Sequence, residues 1–174
     1  MIIDGDTFRD QEGNRVRLLG IDAPEKGEPF YRQASEKLTS LITKEPLLLK
    51  SGSRAYDRYG RILAFVYIET LLVNASLLEE GLARTYFFPE EFEDQELVEY
   101  LCAAQRRARA ASRGIWSLPP PPAADRYFGN ESSYRFHRPD CPSLKNADTL
   151  EFLRLLTRDE FLDRCFSPCR NCKP

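Results

Sequence analysis

Carboxylates and arginines gather in three short stretches: Asp4-Gly5-Asp6-Thr7, Arg17-Leu18-Leu19-Gly20-Ile21-Asp22-Ala23-Pro24-Glu25, and Asp57-Arg58-Tyr59-Gly60-Arg61. Carboxylate oxygens such as those of Asp6 and Asp22 suit a hard divalent cation. Two carboxylates held close repel each other unless a cation lies between them, so a calcium-like ion is the natural occupant. The guanidinium forks of Arg17 and Arg61 bind phosphate bidentately and stay charged at any working pH. Glu25 follows the rigid Pro24, which aims it toward the same pocket. A set with both kinds of group is suited to attack on a phosphodiester, and binding alone would not need all of it. Taken singly, each residue has a structural reading. Asp4 and Asp6 around Gly5 build a turn, Asp22-Ala23-Pro24 ends a strand, and the arginines decorate a surface. The combination favours chemistry. Asp57 is read as a stabiliser of its own turn, and Asp4 as a supporting residue.

A second constellation lies near the other end. His137-x3-Cys141 and Cys169-x2-Cys172 are two ligand pairs separated by one small supersecondary unit, and His137 is the chain's one histidine. Imidazole and thiolate suit Zn²⁺, which takes four such ligands tetrahedrally. The competing reading is a pair of disulfides, with Cys165 as a substitute partner. Cys165 otherwise reads as a spare thiol and Cys102 as a small buried apolar residue.

Positioning these residues needs strands and turns at set places. Ile2–Arg9 and Arg15–Ile21 read as strands joined by the polar turn 10–14. A helix follows to about Leu41, with Tyr31, Ala34, Leu38 and Leu41 on its apolar face. Leu47–Lys50 and Arg61–Ile68 read as strands. Asn74 is the expected N-cap of a short helix that Gly81 stops in the left-handed conformation. Leu82–Phe88 reads as extended. Glu93–Ala111 is the longest helix, closed by Gly114, and Trp116 is expected to fold back onto the barrel. Pro119–Pro122 is a stiff spacer, and Thr157-Arg158-Asp159-Glu160 has the capping-box pattern. Strands in this order with interposed helices suggest a small closed β-barrel.

The chain has 174 residues, 30% of them charged, with a formal net charge of -2. This balance is that of a soluble globular protein. No apolar run approaches a membrane span, and no membrane partner is expected. A nucleic-acid binder usually carries a basic footprint, so the total argues against tight non-specific binding while leaving room for a local positive pocket. Much of the acid sits in Glu90, Glu91, Glu93, Asp94, Glu96 and Glu99. The start, Met1-Ile2-Ile3-Asp4, lacks the basic residues and apolar core of a signal peptide. A removed leader would place the protein outside the cell or in the periplasm, and otherwise a cytoplasmic location is expected.

The three stretches, with Val73-Asn74, Gly81-Leu82-Ala83 and Gly114-Ile115-Trp116-Ser117 after them, resemble the staphylococcal nuclease (thermonuclease) family. The resemblance implies an α+β fold: an OB-type five-stranded β-barrel with about three helices over residues 1–118. It implies Asp6, Asp22 and the backbone carbonyl of Ala23 as Ca²⁺ ligands, with Ala23 standing where the family more often has threonine. Glu25 would orient or deprotonate the attacking water, and Arg17 and Arg61 would clamp the scissile phosphate. Arg58 and Tyr59 would touch a terminal phosphate or sugar. Among the aromatics Tyr86, Phe87 and Phe88, Phe87 is taken to stack on a base, with core packing the alternative for Phe87 and Phe88. The implied reaction hydrolyses single-stranded DNA or RNA, acting as a monomer and leaving a 3′-phosphate. Non-catalytic binding modules of the same fold are the alternative, but those typically lose the carboxylates or arginines. After a Pro-rich linker, 119–130, residues 131–174 resemble the small zinc-binding module of the Ada DNA-repair protein. His137, Cys141, Cys169 and Cys172 are the implied Zn²⁺ ligands, in a structural or nucleic-acid-contact role.

Overall fold

The computed structural model describes residues 1–43, 46–88, 94–145, 147, 152–155 and 157–174. Glu90, Glu91 and Glu93 of the acidic run lie outside them. The amino-terminal part runs β1 (Thr7–Arg9), β2 (Arg15–Leu18), β3 (Ile21–Asp22), α1 (Tyr31–Ile42), β4 (Leu47–Tyr56), β5 (Ile62–Ile68), β6 (Leu71–Leu72), α2 (Val73–Glu79), β7 (Arg84–Thr85) and α3 (Gln95–Ala110). The remainder forms β8 (Tyr127–Asn130), β9 (Arg135–His137), β10 (Leu153–Leu155), α4 (Arg158–Asp163) and β11 (Ser167–Pro168). No helix of the described residues is long and apolar enough to cross a membrane.

The main sheet has the order β1-β2-β5-β4, with β6 on β5. β1 and β2 are antiparallel with Thr7 opposite Arg17, and β2 lies parallel to β5. After β2 the chain turns at Gly20, whose φ of 73° a side chain rarely adopts, and β3 pairs with β7 instead of continuing the ladder. The fold is α+β, as expected, and among the described residues no pairing joins β4 back to β1.

α1 buries Ala34, Leu38 and Leu41, three of the four positions in its apolar stripe. It lies so close to β1 that a Cβ on Gly5 would sit 2.6 Å from Ala34 Cβ and 2.8 Å from Ala23 Cβ. Gly5 therefore lets the segment carrying Asp6 approach the one carrying Asp22 and Ala23. α3 starts at Asp94, whose side chain accepts from Leu97 N–H at 3.0 Å, and buries Leu101, Ala104 and Ala108 against the same core. Each such leucine, fully buried, contributes about 1.5–3 kcal/mol.

Asn74 is not an N-cap. Leu72 occupies that place, and the Asn74 side chain is fully buried, accepting from Val66 N–H at 3.0 Å and donating to Leu19 C=O at 2.8 Å. It stitches α2 to β5 and to the turn before β3. Gly81 does stop α2, with φ of 66°.

The carboxy-terminal sheet has the order β10-β8-β9-β11, around Phe136, Phe161, Leu162 and Phe166. β8 lies within the stretch 119–130, so those residues supply a strand as well as a spacer. Trp116 packs against this second core and near the guanidinium groups of Arg109 and Arg158, rather than onto the first sheet. The capping box at Thr157 and Glu160 is complete.

The two parts are bolted together. Cys102 of α3 and Cys165 form a disulfide, so Cys165 is not a spare thiol, and Cys102, buried as expected, is also its partner. Arg109 of α3 pairs with Asp159 at 2.7 Å and with Asp163, and Ser167 Oγ donates to Thr85 C=O at 2.5 Å.

Candidate active site and metal cluster

Arg17 of β2 lies beside Asp6, the residue before β1, where Leu18 N–H donates to Asp6 C=O at 2.9 Å. Arg17 Nη1 lies 2.8 Å from Asp6 Oδ2 and Nη2 lies 3.4 Å from Asp22 Oδ1, so one guanidinium bridges both carboxylates. Asp6 Oδ2 also accepts from Ala23 N–H at 2.8 Å, and Oδ1 accepts from the Thr7 hydroxyl at 3.0 Å. Burial pushes the Asp6 carboxyl up to about 7 against the pull of Arg17, and the nearby Asp4 and Asp22 charges push the same way. Among the described residues, Arg17 and Arg170 both pair with Asp22 through Oδ1, and none is bonded to Oδ2. Two carboxylates crowded within the span of one arginine, one of them resisting ionisation, fit the oxygen-rich surroundings of a hard cation. Ala23 meets Asp6 through its N–H; its carbonyl takes no part in that contact.

Arg61 is set by the turn before it. Asp57 Oδ1 accepts from the N–H groups of Tyr59 at 2.8 Å and Arg61 at 2.9 Å, while Oδ2 takes Arg61 Nε at 2.7 Å. Among the described residues neither Nη of Arg61 has a protein partner. That is the edge a phosphate would use. Asp57 thus holds its turn, as its position suggested. Although burial opposes ionisation there, the hydrogen bonds from Arg61 and Tyr59 hold its carboxyl below the usual range.

A cleft of about 530 Å³ brings together Asp6, Arg17, Glu25, Arg61, Arg58 and Tyr59. Tyr59 is exposed, with Arg58 Nη2 donating to its hydroxyl at 2.7 Å. Glu25 stands at the rim, its side chain 68% exposed. Phe87 is not part of the cleft. It is 1% exposed in the first core, edge-on to Tyr134, and offers no face to a base. Tyr86 and Phe88 line the cleft in its place. Alternation along an extended chain puts 86 and 88 on one side and 87 on the other. Arg135 of β9, lying 3.5 Å over Tyr86 and 4.7 Å over Phe88, fixes that aromatic pair.

The four cluster residues also converge. One ligand atom from each of His137, Cys141, Cys169 and Cys172 lies within 4.8 Å of every other, with His137 Nδ1 3.4 Å from Cys141 Sγ and the latter 3.8 Å from Cys169 Sγ. Burial pushes the Cys172 thiol up to about 12, and the neighbouring Cys141 and Cys169 sulfurs add to it. Three thiols crowded this way cannot all ionise without a cation among them, so the donor set fits a divalent metal. The disulfide reading of these cysteines is not realised, since Cys141, Cys169 and Cys172 are unpaired.

A family model described as staphylococcal nuclease homologue matches residues 15–118. The thermonuclease of Staphylococcus hyicus is 33% identical over 125 residues, covering 67% of this chain and 72% of that protein. The micrococcal nuclease of Shigella flexneri is 34% identical over 130 residues, covering 68% and 71%. An uncharacterized endonuclease of Escherichia coli is 34% identical over 120 residues, covering 67% and 73%. The chain belongs to the staphylococcal nuclease family. It is a hydrolase of the nuclease class. Within the nuclease match lie Arg17, Asp22, Glu25 and Arg61; the Cys/His cluster falls beyond it. Two residues at the candidate cleft had no signal in the linear sequence: Arg170, which lines it, and Arg135, which lies over its aromatic pair; both arrive from the carboxy-terminal part of the chain.

Proposed function

We propose that the protein is a Ca²⁺-dependent phosphodiesterase that cuts single-stranded DNA or RNA and leaves a 3′-phosphate. The observation that carries this reading is the shared grip of Arg17 on Asp6 and Asp22, with Arg17 and Asp6 lining a cleft together with Arg61 and Glu25, and Asp22 facing the adjoining groove. Asp6 and Asp22 would hold the ion, which supplies positive charge beside the scissile phosphate. Arg17 and the open Nη edge of Arg61 grip the phosphate oxygens and offset charge that develops on phosphorus. Glu25, reachable by solvent, orients the attacking water and takes its proton. Tyr59 and Arg58 contact the neighbouring nucleotide, with a base against Tyr86 or Phe88. The Cys/His cluster binds Zn²⁺ as a structural staple of residues 131–174, with β8 belonging to the same unit. A disulfide between Cys102 and Cys165 favours an oxidising location, outside the cell or in the periplasm.

An end-labelled single-stranded oligonucleotide, incubated with calcium or with EGTA, tests the reaction. Cleavage should require calcium, and Glu25→Gln and Arg61→Gln should each lower kcat roughly 100- to 1000-fold. Cleavage that persists in EGTA, or that survives both substitutions, overturns the reading. Elemental analysis giving less than one zinc per chain in protein purified without chelator would remove the zinc claim.

A further inference from the structure

Cys169 and Cys172 bracket a two-residue turn, Arg170-Asn171, closed by Lys173 N–H on Cys169 C=O at 2.9 Å. Asn171 Nδ2 is anchored on Ser143 Oγ at 2.7 Å. The turn is tied to the nuclease part by Lys173 Nζ on Glu28 at 3.2 Å. Arg170 is thereby carried into the nuclease cleft. Its Nη2 pairs with Asp22 and comes within 3.9 Å of Glu25, and its guanidinium lies 5.2 Å from the centre of the Tyr86 ring. Both carboxylate contacts fall on Nη2, so Nε and Nη1 have no protein partner among the described residues. The side chain is 55% exposed. Arg170 also lines a neighbouring groove of about 860 Å³ between the two parts of the molecule, so it stands where the cleft opens into that groove.

We propose that Arg170 is a substrate-positioning residue: the Cys/His knuckle delivers it to the cleft, where it grips a phosphodiester next to the scissile one. This rests on the nuclease reading above. A guanidinium with unused donors, half in solvent and between two cavities, matches the phosphate of a strand passing from one to the other. The cluster then acts on nucleic-acid affinity, since metal loading fixes the turn on which Arg170 rides.

Arg170→Gln and Arg170→Lys in the full chain, assayed in calcium on an oligothymidylate across a range of salt, provide the test. Arg170→Gln should raise KM about tenfold, more than it lowers kcat. The slope of log KM against log salt should fall by about 0.7, the loss of one phosphate contact on a single strand. Arg170→Lys should restore the slope, and Cys172→Ser should raise KM as Arg170→Gln does, with no further rise in the double variant. Unchanged KM and slope in Arg170→Gln, or a lower KM as release of an inhibitory latch would give, overturns the proposal while wild-type cleavage leaves the nuclease reading standing. If wild type does not cleave, that reading fails, and the slope of binding to a fluorescein-labelled oligothymidylate decides Arg170 alone.

Discussion

Replacing Asp57 with asparagine separates holding a turn from aiming an arginine. Asparagine keeps a carbonyl oxygen in the place of Oδ1, so the N–H groups of Tyr59 and Arg61 retain their acceptor. What changes is Oδ2, now an NH₂ that confronts the N–H of Arg61 Nε at a separation of 2.7 Å. Donor against donor, the guanidinium must swing away. A displacement of about 1 Å of a clamping group costs on the order of 100-fold in rate, and complete loss of one transition-state donor costs about 100- to 1000-fold. Asp57→Asn should therefore lower kcat roughly 10- to 100-fold. The ion pair is partly solvated, with side chains 28% and 16% exposed, so its stability contribution is about 1 kcal/mol or less. The assay is steady-state cleavage of a single-stranded oligonucleotide in calcium for Asp57→Asn, Arg61→Gln and the pair. If Asp57 acts through Arg61, the double variant is no slower than Arg61→Gln alone. Multiplying losses, or full activity in Asp57→Asn, would refute the reasoning.

The same residue sets a pH dependence of stability. Its carboxyl is held below the usual range when folded, so its contribution is present above the unfolded pKa and fades as pH falls through the folded one. Urea unfolding should therefore show the gap between wild type and Asp57→Asn narrowing in acid. Asn74→Ala leaves Val66 N–H and Leu19 C=O buried without partners, a loss of about 2–4 kcal/mol visible as a lower urea midpoint; an unchanged midpoint would mean the network contributes nothing. Opening the Cys102–Cys165 disulfide, which spans 63 residues of sequence, should cost about 2–4 kcal/mol. A Tm lowered by roughly 5–15 °C in Cys102→Ser would show this, and an unchanged Tm would mean that the docking contacts suffice.

What the sequence displayed and what it hid divide along range of interaction. Asp6, Arg17, Asp22 and Arg61 were legible because each sits at a strand end or turn whose local signals are strong, and α1 and α4 because period and capping are local. The disulfide was not legible, since nothing in the spacing of Cys102 and Cys165 says that α3 packs against the end of α4. Asn74 looked like a cap because asparagine favours caps, but a buried pair of backbone groups claimed its amide first. Phe87 failed for a subtler reason. Alternation separates it from Tyr86 and Phe88, and only tertiary packing decides which side of the run faces the cleft.

Arg135 and Arg170 show how an acidic chain can serve a polyanion. The formal net charge is -2, yet five arginines against four carboxylates line the cleft. Screening confines exposed charges to about 8–10 Å at physiological salt, so distant acids weigh little on a phosphate already seated there. They weigh more on the approach of a long strand, where the field of the whole surface steers encounter. A chain built this way relies less on long-range attraction than on a few well-held guanidinium groups at contact distance. Different parts of the fold hold them in place. Asp57 steadies Arg61, paired strands steady Arg17, and the Cys/His turn steadies Arg170. The carboxy-terminal unit reaches the cleft in the same way. Its β9 arginine braces the aromatic wall, and its knuckle carries positive charge to a place that the nuclease part alone leaves lined by Asp22 and Glu25.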